Sequence, residues 1–125
     1  MSLSAHSKPD LSFSKAERLN SKVKIEELFN KGSSFSSKKF RIILLSQQLN
    51  QGRKVLISVP KKNHRTAVSR NKIKRIIREV YRKNKETINI SDQGYLMAII
   101  YLGFSIPNFN ELEVQLINLF KRLTL

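Results

Sequence analysis

The chain has no cysteine among its 125 residues, which excludes disulfides and thiolate metal sites and suits a reducing compartment. Acids are scarce: nine Asp and Glu stand against 24 Lys and Arg, for a formal charge of +15. Those nine do not gather in sequence. Glu26 and Glu27 fall on one expected helix, Glu111 and Glu113 at the start of another, and Asp10, Glu17, Glu79, Glu86 and Asp92 are scattered. A nuclease that works through two metals needs several carboxylates in one pocket, so no catalytic residue and no protein-held metal or cofactor is expected. Long apolar runs are also missing. The longest, Tyr95 to Leu102, has eight residues and is too short to span a bilayer. Met1 to Lys15 lacks the apolar stretch of a signal peptide. A soluble, cytoplasmic protein without a membrane partner is the expectation.

What is present is a folded chain with a localised charge. Forty per cent hydrophobic residues is ordinary for a globular protein, and the length fits one domain. A serine-rich, flexible lead-in is expected over 1–12 and a single domain over 13–125. Residues 61–85 hold eleven Lys and Arg against one acid, a net +10 of the total +15. Charge concentrated in this way is the footprint of nucleic-acid binding.

The centre of that segment reads as a helix. Ile73, Ile76, Ile77, Val80 and Tyr81 recur at i, i+3, i+4, i+7 and i+8, one apolar stripe at helical period. Asn71, Lys74, Arg75, Arg78 and Arg82 fall within about a third of the circumference on the opposite side, with Arg70 nearer the apolar edge. A solvated helix face normally mixes charge signs for i,i+4 pairing, whereas this one carries only Glu79. Arginine's planar fork grips phosphate oxygens in pairs, which lysine cannot do. A membrane-lying helix would need a bulkier apolar face free of core duties.

Around this helix the remaining elements follow from local signals. Ser21 is an N-cap for a helix of Lys22 to Lys31, with Ile25, Leu28 and Phe29 on one face and Gly32 as its stop. Lys39 to Ser46 and Arg53 to Val59 are β-rich and joined by a polar linker, which predicts an antiparallel hairpin, with a short strand near Ser34–Ser36 before it. Pro60 ends the second main strand, and Lys61 to Thr66 form a basic loop where His64 is placed for a phosphate contact. The basic helix should fade near Glu86. Tyr95 to Leu102 is apolar on both faces and therefore central in a sheet. Asn108 to Glu111 has capping-box spacing for a last helix, lined by Leu112, Leu116, Leu119, Phe120 and Leu123, with Lys121 and Arg122 in its last turn. The order predicts an α+β sandwich.

Phe29 and Phe40, expected beside the basic region, favour RNA over DNA, because aromatic faces stack unpaired bases. A core role competes for both rings. Pro60 and a strand precede the basic helix, which argues against a helix-turn-helix.

Residues 67–82, Ala67-Val68-Ser69-Arg70-Asn71-Lys72-Ile73-Lys74-Arg75-Ile76-Ile77-Arg78-Glu79-Val80-Tyr81-Arg82, resemble the arginine-asparagine-arginine helix of the protein subunit of bacterial ribonuclease P. Ser58-Val59-Pro60-Lys61-Lys62 is similar to that family's strand end and double lysine. Phe13 to Leu19, Leu28-Phe29, Gly32 and Ile99-Ile100-Tyr101 resemble its arm, first helix and last strand. The likeness runs over roughly residues 13–123. It departs at Lys72, where arginine is commoner, and at Ile25 and Ile43, where some members carry aromatics. The resemblance implies a two-layer sandwich of three helices on a four-stranded sheet, with a left-handed crossover around the basic helix. It implies a protein cofactor to an RNA that uses magnesium to cut the 5′ leader from precursor tRNA, with no stable protein partner. Lys61, Lys62, Arg65, Arg70, Asn71, Lys72, Lys74, Arg75, Arg78 and Arg82 would face the catalytic RNA. Arg18, Phe29 and Phe40 would line a leader cleft between first helix and sheet. Two rival classes share parts of the signal: a ribosomal or RNA-chaperone protein, told apart by preference for ribosomal RNA, and a self-sufficient nuclease, told apart by cleavage without an RNA partner.

Overall fold

Ser21 and Gly32 bracket the first helix, α1 (Lys22–Lys31), as its sequence signals require. The structure, a computed structural model, describes residues 17–48, 51–88 and 94–123. The expected lead-in over 1–12, Phe13 to Ala16 of the arm, and Leu49 and Asn50 of the polar linker lie outside the described residues. Ser21 Oγ accepts from Lys24 N–H at 3.4 Å, a long cap. Gly32 does not end the helix by a left-handed turn, since its φ is −73°. Its role is close approach: a Cβ there would fall 2.6 Å from Ile43 Cγ2 and 2.6 Å from Leu28 O, so only glycine lets the helix end pass against the sheet.

The sheet is built from β1 (Ser33–Ser36), β2 (Phe40–Gln47), β3 (Arg53–Ser58) and β4 (Gly94–Tyr101), in the order β1-β2-β4-β3. The hairpin is therefore β1–β2, with Ser34 opposite Ile43, and the expected pairing of β2 with β3 does not occur. β4 takes the place between them. It lies antiparallel to β2, Phe40 opposite Tyr101, and parallel to β3, Val55 opposite Met97. The reason is burial. β4 is buried at seven of its eight positions, and a strand apolar on both faces is most stable with a partner on each side. The linker between β2 and β3 then has to step over it, and Gly94 marks the crossing. A Cβ at Gly94 would sit 2.5 Å from the carbonyl oxygens of both Gln48 and Gly52.

Two helices complete the order, α2 (Ala67–Asn84) and α3 (Phe109–Phe120), with a 3₁₀ turn at Lys85–Thr87. α2 joins the adjacent parallel strands β3 and β4. The α+β class, the four strands and the three helices stand as expected, but the layers are three rather than two. Phe40, Ile42, Leu44, Met97 and Ile99 pack on one sheet face beneath Ile73, Ile77 and Val80 of α2 and Leu112, Leu116 and Phe120 of α3. Ile43, Leu96 and Ala98 point the other way and meet Leu28 of α1 and Leu19. Asn108 Oδ1 caps α3 by accepting from Glu111 N–H at 2.8 Å. Lys121 and Arg122 fall just past the last turn. Lys121 is the C-cap, and Arg122 Nη1 donates to Ser36 O at 3.2 Å, tying α3 to the edge strand.

Candidate nucleic-acid interface

No glycine or proline interrupts residues 61–88, and Thr66 Oγ1 caps α2 by accepting from Ser69 N–H at 3.1 Å. The helix thus starts two residues before Ser69. Its apolar stripe is buried as periodicity predicts: Ile73, Ile77 and Val80 are fully buried and Tyr81 nearly so, with Ile76 partly covered. That packing fixes the rotation of the helix and so decides which cations face water.

The predicted basic residues divide into three kinds. Lys61, Lys62 and Arg65 of the turn and Asn71, Lys72 and Arg75 of α2 are exposed. Arg70 is not presented outward. Its Nη1 donates to the carbonyls of His64 at 2.9 Å and Arg65 at 3.0 Å, which braces the basic turn against the helix. Arg82 pairs with Glu79, Nε donating to Oε2 at 3.1 Å. The Arg82 hydrogen bonds hold the Glu79 carboxyl below its usual range, and the same bonds raise Arg82. Lys74 and Arg78 are half-buried on the flank of α2 and turn towards a cleft.

That cleft has a volume of ≈ 240 Å³ and lies between α2, β3 and the segment before α1. Arg18 forms a parallel bridge with Val55, and Leu19 N–H donates to Val55 O at 2.9 Å, so this segment covers the outer edge of β3. Glu17 and Lys85, 3.2 Å apart and each about one-fifth exposed, tie the same segment to the end of α2. Leu56 and Ile57 line the apolar floor, while Arg18, Lys74 and Arg78 supply a cationic rim. Leu56 stands opposite Ala98 and so belongs to the sheet face that carries α1.

The three residues expected in a leader cleft are not brought together. Arg18 lines the cleft just described, and Phe29 is 45 % exposed on α1. Phe40 is fully buried on the opposite sheet face, its ring centroid 5.2 Å from that of Tyr101, and offers no face for a base. Its parity on β2, alternate to exposed Arg41, sends it into the main core. His64 is likewise corrected. It is buried, with Nε2 donating to Gly103 O at 2.8 Å, Nδ1 3.2 Å from Ser69 Oγ and its ring stacked 6.0 Å from Tyr101. A carbonyl can only accept, so Nε2 carries the proton. The imidazole is a bracket inside the basic turn and makes no phosphate contact.

Sequence reasoning also missed groups on the sheet face left open by α1. Arg41 is exposed on β2, its Nε donating to Ser34 Oγ at 3.0 Å, and lies in register beside Ile100 and then Ser58. The signal was the alternation of β2, where the one charged residue marks the wet face. Among the described residues no three His, Asp or Glu side chains gather as a metal site, and no helix is long and apolar enough to cross a membrane.

Comparison with known proteins agrees with this geometry. A family model described as Ribonuclease P matches residues 13–124. A ribonuclease P protein component from Porphyromonas gingivalis strain W83 is 34 % identical over 113 residues, covering 86 % of this chain and 82 % of the relative. Another, from Citrifermentans bemidjiense, is 33 % identical over 111 residues, covering 89 % and 91 %. The solved ribonuclease P protein of Thermotoga maritima superposes with a TM-score of 0.74 at 27 % identity, over 86 % of this chain and 98 % of that one. That of Staphylococcus aureus gives 0.70 at 25 % identity, over 86 % and 94 %. With its basic helix, mixed sheet and length matched throughout, the chain belongs to the ribonuclease P protein family.

Proposed function

We propose that this chain docks on the RNA of ribonuclease P through the exposed face of α2 and its preceding turn, and holds the 5′ leader of precursor tRNA in the cleft beside β3. The observation that carries the reading is a cationic surface held rigid. Lys61, Lys62, Arg65, Asn71, Lys72 and Arg75 are exposed on a helix and turn that the buried stripe and the Arg70 brace fix in place. Such a surface displaces condensed counterions from an RNA backbone without first having to be ordered. Arg18, Lys74 and Arg78 then bind leader phosphates over the apolar floor, and Phe29, exposed on α1 outside that cleft, stacks on a base further along the leader.

Chemistry belongs to the RNA. Hydrolysis uses magnesium held by the RNA partner, and the protein contributes charge and position. A formal +15 offsets the repulsion between two polyanions, so the protein lowers the magnesium needed to bring them together. Reconstitution with a bacterial ribonuclease P RNA and a precursor tRNA at low magnesium tests this. Leader removal should need the RNA and be stimulated by the protein, while protein alone should leave the substrate intact. Cleavage by RNA-free protein, or tighter binding to ribosomal RNA than to ribonuclease P RNA, refutes the reading.

A further inference from the structure

The loop after β4 turns apolar side chains outward on a clamped backbone. Leu102 N–H donates to Lys39 O at 2.7 Å, and Asn63 Nδ2 donates to Leu102 O at 3.0 Å. His64 Nε2 holds Gly103 O at 2.8 Å, and Tyr101 Oη donates to Ser105 O at 2.8 Å. Gly103 and Pro107 are buried. Between these fixed points Phe104 is 78 % exposed, and Ile106 beside it is 47 % exposed. A phenylalanine this open gains nothing from core burial, and four hydrogen bonds keep the loop from folding it inward. Small neighbours, Gly103 and Ser105, leave the ring approachable from both sides.

The same clamps decide what stands next to the ring. Asn63 and His64, which hold the loop, are flanked by Lys61, Lys62 and Arg65, all exposed. Residues 60–78 and 94–110 contain no acid. An exposed aromatic ring on a loop pinned to a turn that carries three exposed cations complements a ligand that alternates flat uncharged rings with anionic groups. Single-stranded RNA has that pattern, each base standing between two phosphates. A protein partner would have to pair an apolar contact with a concentration of acids, whereas every stretch of RNA supplies the anions.

We propose that Phe104 stacks on an unpaired base of the ribonuclease P RNA while Lys61, Lys62 and Arg65 hold the flanking phosphates. The contact rests on the reading that this chain binds that RNA, and it carries the interface from the basic turn round to the loop after β4. Every base has a π-face, so the contact positions an unpaired nucleotide without selecting its identity.

The test measures affinity for a bacterial ribonuclease P RNA in the full chain with Phe104→Ala, Phe104→Leu and Phe104→Trp, alongside Arg75→Ala. The ring is exposed, so thermal stability should stay unchanged in all three Phe104 variants. Ala and Leu should each weaken binding about fivefold to a hundredfold, and Trp should retain it. A photo-reactive phenylalanine at the same position should cross-link to a nucleotide in the reconstituted complex. Leu behaving as wild type overturns the stacking, because apolar contact alone would then suffice. Unchanged affinity in Phe104→Ala with a loss in Arg75→Ala overturns the inference and leaves the α2 interface standing. Cross-linking to a second copy of the chain also overturns it, and wild-type protein that binds no ribonuclease P RNA overturns both readings.

Discussion

The salt dependence of RNA binding follows from which cations the fold leaves outward. Ten positions carry the sequence motif, but the structure does not leave them equal. Arg70 is committed to two backbone carbonyls, Arg82 is opposed by Glu79, and Arg78 is half-buried at the cleft. Lys74 shares the cleft with Arg78, which leaves Lys61, Lys62, Arg65, Lys72 and Arg75, five exposed cations able to reach a backbone. Neutralising five phosphates gives a slope of log K against log salt of about −3.5 to −4.5. Between about 50 and about 200 mM salt, affinity should then fall roughly a hundred- to five-hundredfold. The double variant Lys72→Ala, Arg75→Ala should flatten the slope by about 1.4 to 1.8. Its fold should survive, because both side chains point away from Ile73 and Ile77, which are fully buried. Fluorescence anisotropy across a salt series, with circular dichroism as the control, makes the measurement. A slope unchanged by the double variant, or a wild-type slope shallower than about −2, would refute the assignment of this face to phosphate contacts.

Further expectations concern single side chains. Phe40→Ala should cost about 3–5 kcal/mol in urea unfolding, because it empties a fully buried site against Tyr101. RNA affinity per folded molecule should not change, and a selective loss of precursor-tRNA binding would return Phe40 to the cleft. Phe29→Leu should weaken precursor-tRNA binding about fivefold to a hundredfold and leave mature tRNA untouched, by equilibrium binding to both. Equal losses for the two tRNAs would remove Phe29 from leader contact. Burial pushes the Tyr81 and Tyr95 hydroxyls up, and the two meet at 2.8 Å. A phenol whose folded value is raised contributes stability that is complete below its unfolded value near pH ~10 and lost as pH rises beyond it. The thermal midpoint should therefore fall above about pH 10, and the double variant Tyr81→Phe, Tyr95→Phe should flatten that alkaline limb. An identical limb in the variant would place the titrating groups elsewhere.

Local signals made the helices legible. Ser21 and Asn108 cap α1 and α3 where their spacing says, and the α2 stripe is buried where its period says. These depend on residues within one or two turns of each other. Strand order does not. The polar linker after β2 looks like a hairpin connection because nothing within it reports a third strand arriving from residue 94 onwards. The conflicting signal was present, since a strand apolar on both faces requires two neighbours. Only β2 and β3 were long enough to serve, and a central β4 must therefore separate them.

Phe40 and His64 were misplaced by the same kind of omission. Counting charge located the basic surface, but charge says nothing about which arginine is already bonded. Arg70 sits near the apolar edge of α2, close enough to the preceding turn for its guanidinium to find two carbonyls there. An always-charged fork with five donors is the side chain best able to bridge two neighbouring carbonyls and so brace the turn. Phe40 was legible by a stricter use of strand parity. In Phe40-Arg41-Ile42-Ile43-Leu44 the apolar residues occupy both faces, so hydrophobicity alone does not choose between them. Arg41 does. A charged residue in mid-strand with no acid at hand stays wet, which sends Phe40, Ile42 and Leu44 inward together and leaves the open sheet face to Arg41, Ile100 and Ser58. Phe104, the most exposed of the large apolar side chains described, was passed over by local patterning because a lone phenylalanine between small residues belongs to no periodic stripe.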